Sequence, residues 1–167
     1  MNKKYLLIFL VAMIASCDQQ PGSTGNPPKV SILDKQTRIE PSSVQIESAG
    51  PEGLFEAAQT GWHSQAPPRY PESLVFTFSE NRRIATIWLL PQDDHFDRAP
   101  KQFVIETSAD GKNWESAQTI EGACKGPNDA WRSYKLEQGI NTRYLRLKIA
   151  SNCGNPHILT LRGIRFE

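Results

Sequence analysis

Residues 102–114 read QFVIETSADGKNW, and this stretch constrains the fold of the chain more than any other. On an extended backbone Phe103, Ile105 and Thr107 point one way, and Val104, Glu106 and Ser108 point the other. That is the two-residue period of a half-buried strand. Asp110-Gly111 follows, a strong turn signal because glycine tolerates positive φ. Trp114 then opens a second apolar run through Ala117 and Ile120, so the stretch predicts a β-hairpin. Trp114, like Trp62, is expected in the core.

The remaining segments also read as short strands. Residues 37–46 give a weak first strand broken at Pro41-Ser42-Ser43. Leu74, Phe76 and Phe78 alternate in 73–78. Residues 84–90, IATIWLL, are continuously apolar, as a strand buried on both faces would be. Residues 131–136 and 158–166 read as further strands, and Leu145, Leu147 and Ile149 alternate in 142–149. Between them lie loops at 92–100, 121–130 and 151–157. About eight strands, with no repeat and no long helix-period segment, predict an all-β fold, an antiparallel jelly-roll β-sandwich.

The first 17 residues, MNKKYLLIFLVAMIASC, are of a different kind. Lys3 and Lys4 precede an apolar run from Tyr5 to Ala15 that is too short to span a bilayer comfortably. The Ile14-Ala15-Ser16-Cys17 end resembles a bacterial lipobox, which implies cleavage before Cys17 and lipidation of that residue. The mature protein is then expected on the inner or outer membrane of a bacterial cell envelope, since each buried CH₂ of a fatty chain contributes about 0.8 kcal/mol. Residues 18–34 begin with a polar, Gly- and Pro-rich stretch and are expected to form a flexible linker. The domain proper is assigned to 35–167. The whole chain has 19 Lys+Arg against 18 Asp+Glu. That balance gives no basic excess for nucleic acid, which is not expected as a partner.

The hairpin, read as Phe103-x-Ile105-x-x-Ser108-x-Asp110-Gly111-x-x-Trp114, resembles the signature hairpin of the discoidin domains. These are also called coagulation-factor type C domains, among the galactose-binding-like β-sandwiches. Arg143-Tyr144-Leu145-Arg146 resembles the Arg-Tyr strand of the same family, and the resemblance runs from about Glu47 to Glu167. It implies a ligand site on loops at one end of the sandwich. His63, then His95, Phe96 and Arg98, then Trp131, then Asn155 and His157 fall in the corresponding segments. Cys153-Gly154-Asn155-Pro156-His157 looks like the Asn-Gly-Asn-Pro-aromatic segment of sugar-binding members, with His157 in place of the aromatic. Leu90-Pro91-Gln92 stands where galactose-binding members show Leu-Pro-Arg. Both departures point away from galactose itself. The family also implies a structural calcium near the first turn, where Glu56 occupies the place of an Asp.

Chemistry is otherwise sparse. His63, His95 and His157 sit in no HExxH pattern and beside no evident nucleophile. Asp93-Asp94 reads as a solvated turn, and there is no phosphate loop. An enzyme is not expected. With Cys17 lipidated, Cys124 and Cys153 remain as a disulfide, two free thiols or metal ligands. Export favours the disulfide, and no His-Cys spacing matches a zinc site. The expected function is a lipid-anchored binding module that recognises carbohydrate. The alternative is an envelope lipoprotein that uses the same loops to bind a protein partner.

Overall fold

The computed structural model describes residues 22–27, 29, 31, 33, 35–57, 60–127 and 129–167. The leader, Cys17 and residues 18–21 of the expected linker lie outside these described residues. Strands β1 (Ser23–Gly25), β2 (Arg38–Pro41), β3 (Trp62–His63), β4 (Glu72–Leu90), β5 (Pro100–Ser108), β6 (Glu115–Glu121), β7 (Trp131–Asn152), β8 (Thr160–Leu161) and β9 (Gly163–Phe166) follow in order. A 3-10 turn (Glu47–Ala49) and one α-helical turn, α1 (Gly53–Glu56), lie between β2 and β3.

The fold is an antiparallel β-sandwich built on one long ribbon. β4 and β7 pair from Glu72↔Ile149 to Thr77↔Tyr144, shift register, and pair again from Arg82↔Thr142 to Leu89↔Arg132. The sequence presents each as two strands because 79–83 and 137–139 are polar and largely exposed. The ladder nonetheless resumes beyond them, and the ribbon folds back on itself. Phe76 in the first half of β4 meets Phe166 edge-on at 5.0 Å, although Phe166 pairs with Ile87 in the second half. Phe103 of β5 meets Tyr134 of β7 at 5.3 Å in the same way. One layer is therefore β2, the first half of β4, the second half of β7, β5 and β6. The other is β9, the remaining halves of β4 and β7, and β1.

The core between the layers is made by the alternating apolar sets. Leu74, Phe76, Phe78, Phe103, Ile105, Leu145, Leu147 and Ile149 are all fully or almost fully buried, as are Trp62 and Phe166. Three local expectations differ from what is found. Trp114 is not in the core: it lies on the outer face with the Arg146 guanidinium 4.5 Å from its ring centroid. Residues 84–90 are not buried on both faces, since Ala85 is exposed and Trp88 half-buried; Trp88 donates to Glu167 Oε2 at 3.2 Å. Within the expected linker, Ser23–Gly25 pair with Ser133, Arg132 and Trp131, and Leu33 is buried in the core cluster. A polar stretch can join a sheet edge because the ladder uses only backbone groups.

The folded ribbon returns both of its ends to one end of the sandwich. Loops 64–71, 91–99, 122–130 and 153–159 emerge there. The 109–114 turn and the bend of the ribbon lie at the opposite, turn end.

Candidate functional site

At the loop end, backbone contacts fix the segments before any side chain is considered. Cys153 N–H donates to the Ala99 carbonyl at 3.0 Å, and Asn155 N–H to the Asp97 carbonyl at 3.0 Å. Gly122 lies so close to β5 that a Cβ there would fall 2.2 Å from the Pro100 carbonyl oxygen. Only glycine allows that approach. Cys124 and Cys153 form a disulfide, with Cα atoms 5.4 Å apart, that ties loop 122–130 to loop 153–159. Buried Glu72 accepts from Ser43 Oγ at 2.7 Å and from Arg69 N–H at 2.9 Å, which holds loop 64–71 against residues 42–43.

His63 is half-buried in β3, behind Gly61, whose φ of +54° suits glycine. Its Nδ1 lies 3.3 Å from Gln45 Oε1. Burial pulls its pKa below the ordinary 6.5. The nearby Gln92 side chain and Thr60 backbone oppose that shift, and the positive charge of Arg98 adds to it. His63 and Arg98, far apart in sequence, are thus electrostatic neighbours. Arg98 closes the 3-10 turn Phe96–Arg98, and its N–H donates to the His95 carbonyl at 3.0 Å. His95 itself is exposed.

Asp97, from the same turn, accepts from Asn155 Nδ2 at 2.6 Å. Asn155 Oδ1 in turn accepts from the His157 and Ile158 N–H groups, and His157 is exposed on the rim. Phe96 is half-buried, with the Arg132 guanidinium 4.9 Å from its centroid. Arg132 is 1% exposed. Its Nη1 donates to the Lys125 carbonyl at 2.5 Å, while Nε and Nη2 have no hydrogen-bond partner among the described residues. Burying a cation without a carboxylate is costly, and the Phe96 ring offsets part of that cost. Trp131 is half-buried and faces α1: Arg165 stacks 5.3 Å from its centroid, and its ring lies beside Gly163 and Ala57.

The structure therefore brings together His63 with Arg98, Asp97 with Asn155, and Phe96 with Arg132. His95 and His157 share that rim, and Trp131 lies toward its α1 side. Glu56 is different. It is exposed at the end of α1, in a groove of about 460 Å³ that also holds Lys35 and Arg38. Among the described residues no three His, Cys, Asp or Glu side chains group to hold a metal. The groove also holds Glu52, so two carboxylates and two cations line it.

Sequence reasoning missed three participants. Tyr70 is 38% exposed in loop 64–71. Burial of the rest of the ring pushes its phenol up to about 12, against a hydrogen bond with the Asn152 backbone. Gln92 lies near enough to the His63 ring to influence its titration. Asp93, expected in a solvated turn, shares Arg162 with Asp129. Burial and the Asp129 carboxyl raise Asp93, while Asp129 is lowered by Asp93 and Arg162. A ring in a Pro-rich loop and acids without helical spacing carry no sequence signal for such contacts.

Residues 38–161 match the family model of the F5/8 type C domain. No curated protein matches the chain. Among solved structures, a Clostridium perfringens module, CpGH89CBM32-5, in complex with GalNAc-β-1,3-galactose superposes with a TM-score of 0.68 at 12% identity, over 82% of this chain and 99% of that one. The C-terminal domain of a chitobiase from Bacteroides fragilis gives 0.65 at 22% identity, over 80% and 93%. A chitosan-binding module from Paenibacillus sp. IK-5, solved with chitotriose, gives 0.62 at 13% identity, over 78% and 95%.

Proposed function

The chain belongs to the F5/8 type C domain family, and from that membership we propose that it is a non-catalytic module whose loop end binds carbohydrate. One observation carries the reading: side chains from separate segments, His63, Asp97 with Arg98, and Asn155, gather on one rim, and exposed Tyr70 lies on a loop of that same end. Planar hydrogen-bonding groups near an aromatic ring match the alternating hydroxyl edge and apolar face of a pyranose. Phe96 and Trp131 offer ring edges, and His95 and His157 add polar groups at the margin. The sugars held by the structural neighbours support the same class of ligand.

The test is a glycan array followed by titration calorimetry. Arg98→Ala should weaken binding by about 1–3 kcal/mol through lost charge-assisted hydrogen bonds. Tyr70→Ala should weaken it by about 1–3 kcal/mol through lost apolar contact. Failure of every glycan to bind would overturn the proposal. A protein partner is the second reading. It is favoured by the arginines already stacked on Phe96 and Trp131, which make those rings part of a charged surface rather than open platforms.

The module is proposed to sit at the bacterial cell envelope through lipid on Cys17. Cys17→Ser should move the protein from the membrane fraction to the soluble fraction. A variant that stays with the membrane, or a wild-type N-terminus without lipid mass, would reject the anchor.

A further inference from the structure

We propose that the turn end of the sandwich is a second saccharide site, separate from the loop end. It would take a terminal neutral hexose or N-acetylhexosamine in the cleft between the β5–β6 turn and the bend of the β4–β7 ribbon. The cleft has a volume of about 470 Å³, within the range of small-molecule sites. Asn81 and Asn141 come from the bend of the ribbon, Glu115 from the start of β6, and Arg143 from β7. Among the described residues the side chains of Asn81, Asn141 and Glu115 have no hydrogen-bond or ion-pair partner. Each amide presents a donor beside an acceptor, the pattern that pairs with adjacent sugar hydroxyls or an acetamido group.

The charge of the cleft disfavours an anionic ligand. Glu115 and Arg143 are opposite in sign. Asp110 also borders the cleft, but its carboxylate is occupied by its own turn. It accepts from Lys112 N–H and Asn113 N–H at 2.8 Å each, from Asn113 Nδ2 at 2.7 Å and from Ser108 Oγ at 3.0 Å. These bonds hold its pKa well below the usual carboxylate range. With Asp110 and Glu115 set against Arg143, the cleft carries an excess of negative charge and disfavours an anion, whereas a polyhydroxylated ring would meet amides, carboxylates and a guanidinium.

The walls are set before any ligand arrives. Asp110 clamps one side. On the other, Thr142 Oγ1 donates to the Tyr144 carbonyl at 2.8 Å, and Arg143 Nε donates to the Phe78 carbonyl at 3.2 Å. Preformed walls lower the ordering cost of binding. The Tyr144 ring is covered by Arg143 on one side and approached by Gly111 on another. With no open aromatic platform, affinity should be weak, on the order of millimolar.

The experiment is an NMR titration of the ¹⁵N-labelled full chain in detergent micelles with galactose and with N-acetylgalactosamine. Saturable shifts are expected in the Asn81 and Asn141 side-chain amides. Asn141→Ala should weaken that response about tenfold, the scale of one or two lost hydrogen bonds. Asn81→Ala provides the same reading if the first variant disturbs the bend, and the Asp110 turn resonances report whether the fold is kept. Arg98→Ala, at the loop end, should leave the turn-end shifts intact. The proposal is overturned if neither sugar gives saturable shifts at the turn end. It is also overturned if both asparagine variants respond like the parent, or if Arg98→Ala abolishes the turn-end response. Loss of loop-end shifts alone in Arg98→Ala bears only on the loop site, so the two readings stand or fall separately.

Discussion

At His63 a titratable ring is half-buried beside an arginine, and its folded pKa lies below 6.5. The unfolded chain therefore binds more protons than the folded one just below that value. Stability contributed by the neutral ring is whole above 6.5 and is lost as pH falls through the lowered folded pKa. His63→Gln keeps a polar side chain in the same place and removes the titration. Its urea midpoint should depend less on pH than the parent's between about pH 7 and 5. Equal slopes in the two proteins would refute the assignment. The neutral ring also remains available as a hydrogen-bonding group at neutral pH.

The elements that matter at the loop end are irregular segments, and they are held by cross-links rather than by a ladder. Loop 122–130 reaches the rest of the rim through the Cys124–Cys153 disulfide and through Asp129 on Arg162. The disulfide closes a separation of 29 residues, so by chain entropy its loss costs about 3–4 kcal/mol. A Cys124→Ser, Cys153→Ser double variant should unfold at lower urea, with its unfolding free energy reduced by that amount against the oxidised parent. An unchanged midpoint would mean that the remaining contacts alone hold the loop. The β5–β6 hairpin is a different kind of element. Its strand pattern and Asp-Gly turn are both visible in the sequence, and Asp110 closes the turn in the structure.

For the whole molecule, Phe166 is the joint between the two layers. It is fully buried and meets both Phe76 and Phe78 edge-on, at 5.0 and 5.8 Å. Phe166→Ala should lower the unfolding free energy by about 3–5 kcal/mol, since removing a large core ring leaves a cavity as well as lost contacts. Urea denaturation checks this, and a loss under about 1 kcal/mol would show that the layers repack around the gap.

The alternation of Leu74, Phe76 and Phe78, of Phe103 and Ile105, and of Leu145, Leu147 and Ile149 was legible from the sequence, and with it the strands, the hairpin and the sandwich. Alternation is a local property: each residue faces in or out according to its neighbours in the chain. The cysteine pair was legible as the favoured one of three alternatives. What tertiary structure alone decided depends on which distant segments pair. The ladder runs through the polar bend because its bonds are made by backbone groups, which side-chain polarity does not report. Trp114 is covered by Arg146, a residue of another strand, and that pairing is not reported by local alternation. The nearness of His63 to Arg98, the meeting of Asp97 with Asn155, and the placing of Asn81 and Asn141 together on the ribbon side of the turn-end cleft follow from the fold-back and register of one long ribbon, which no single segment encodes.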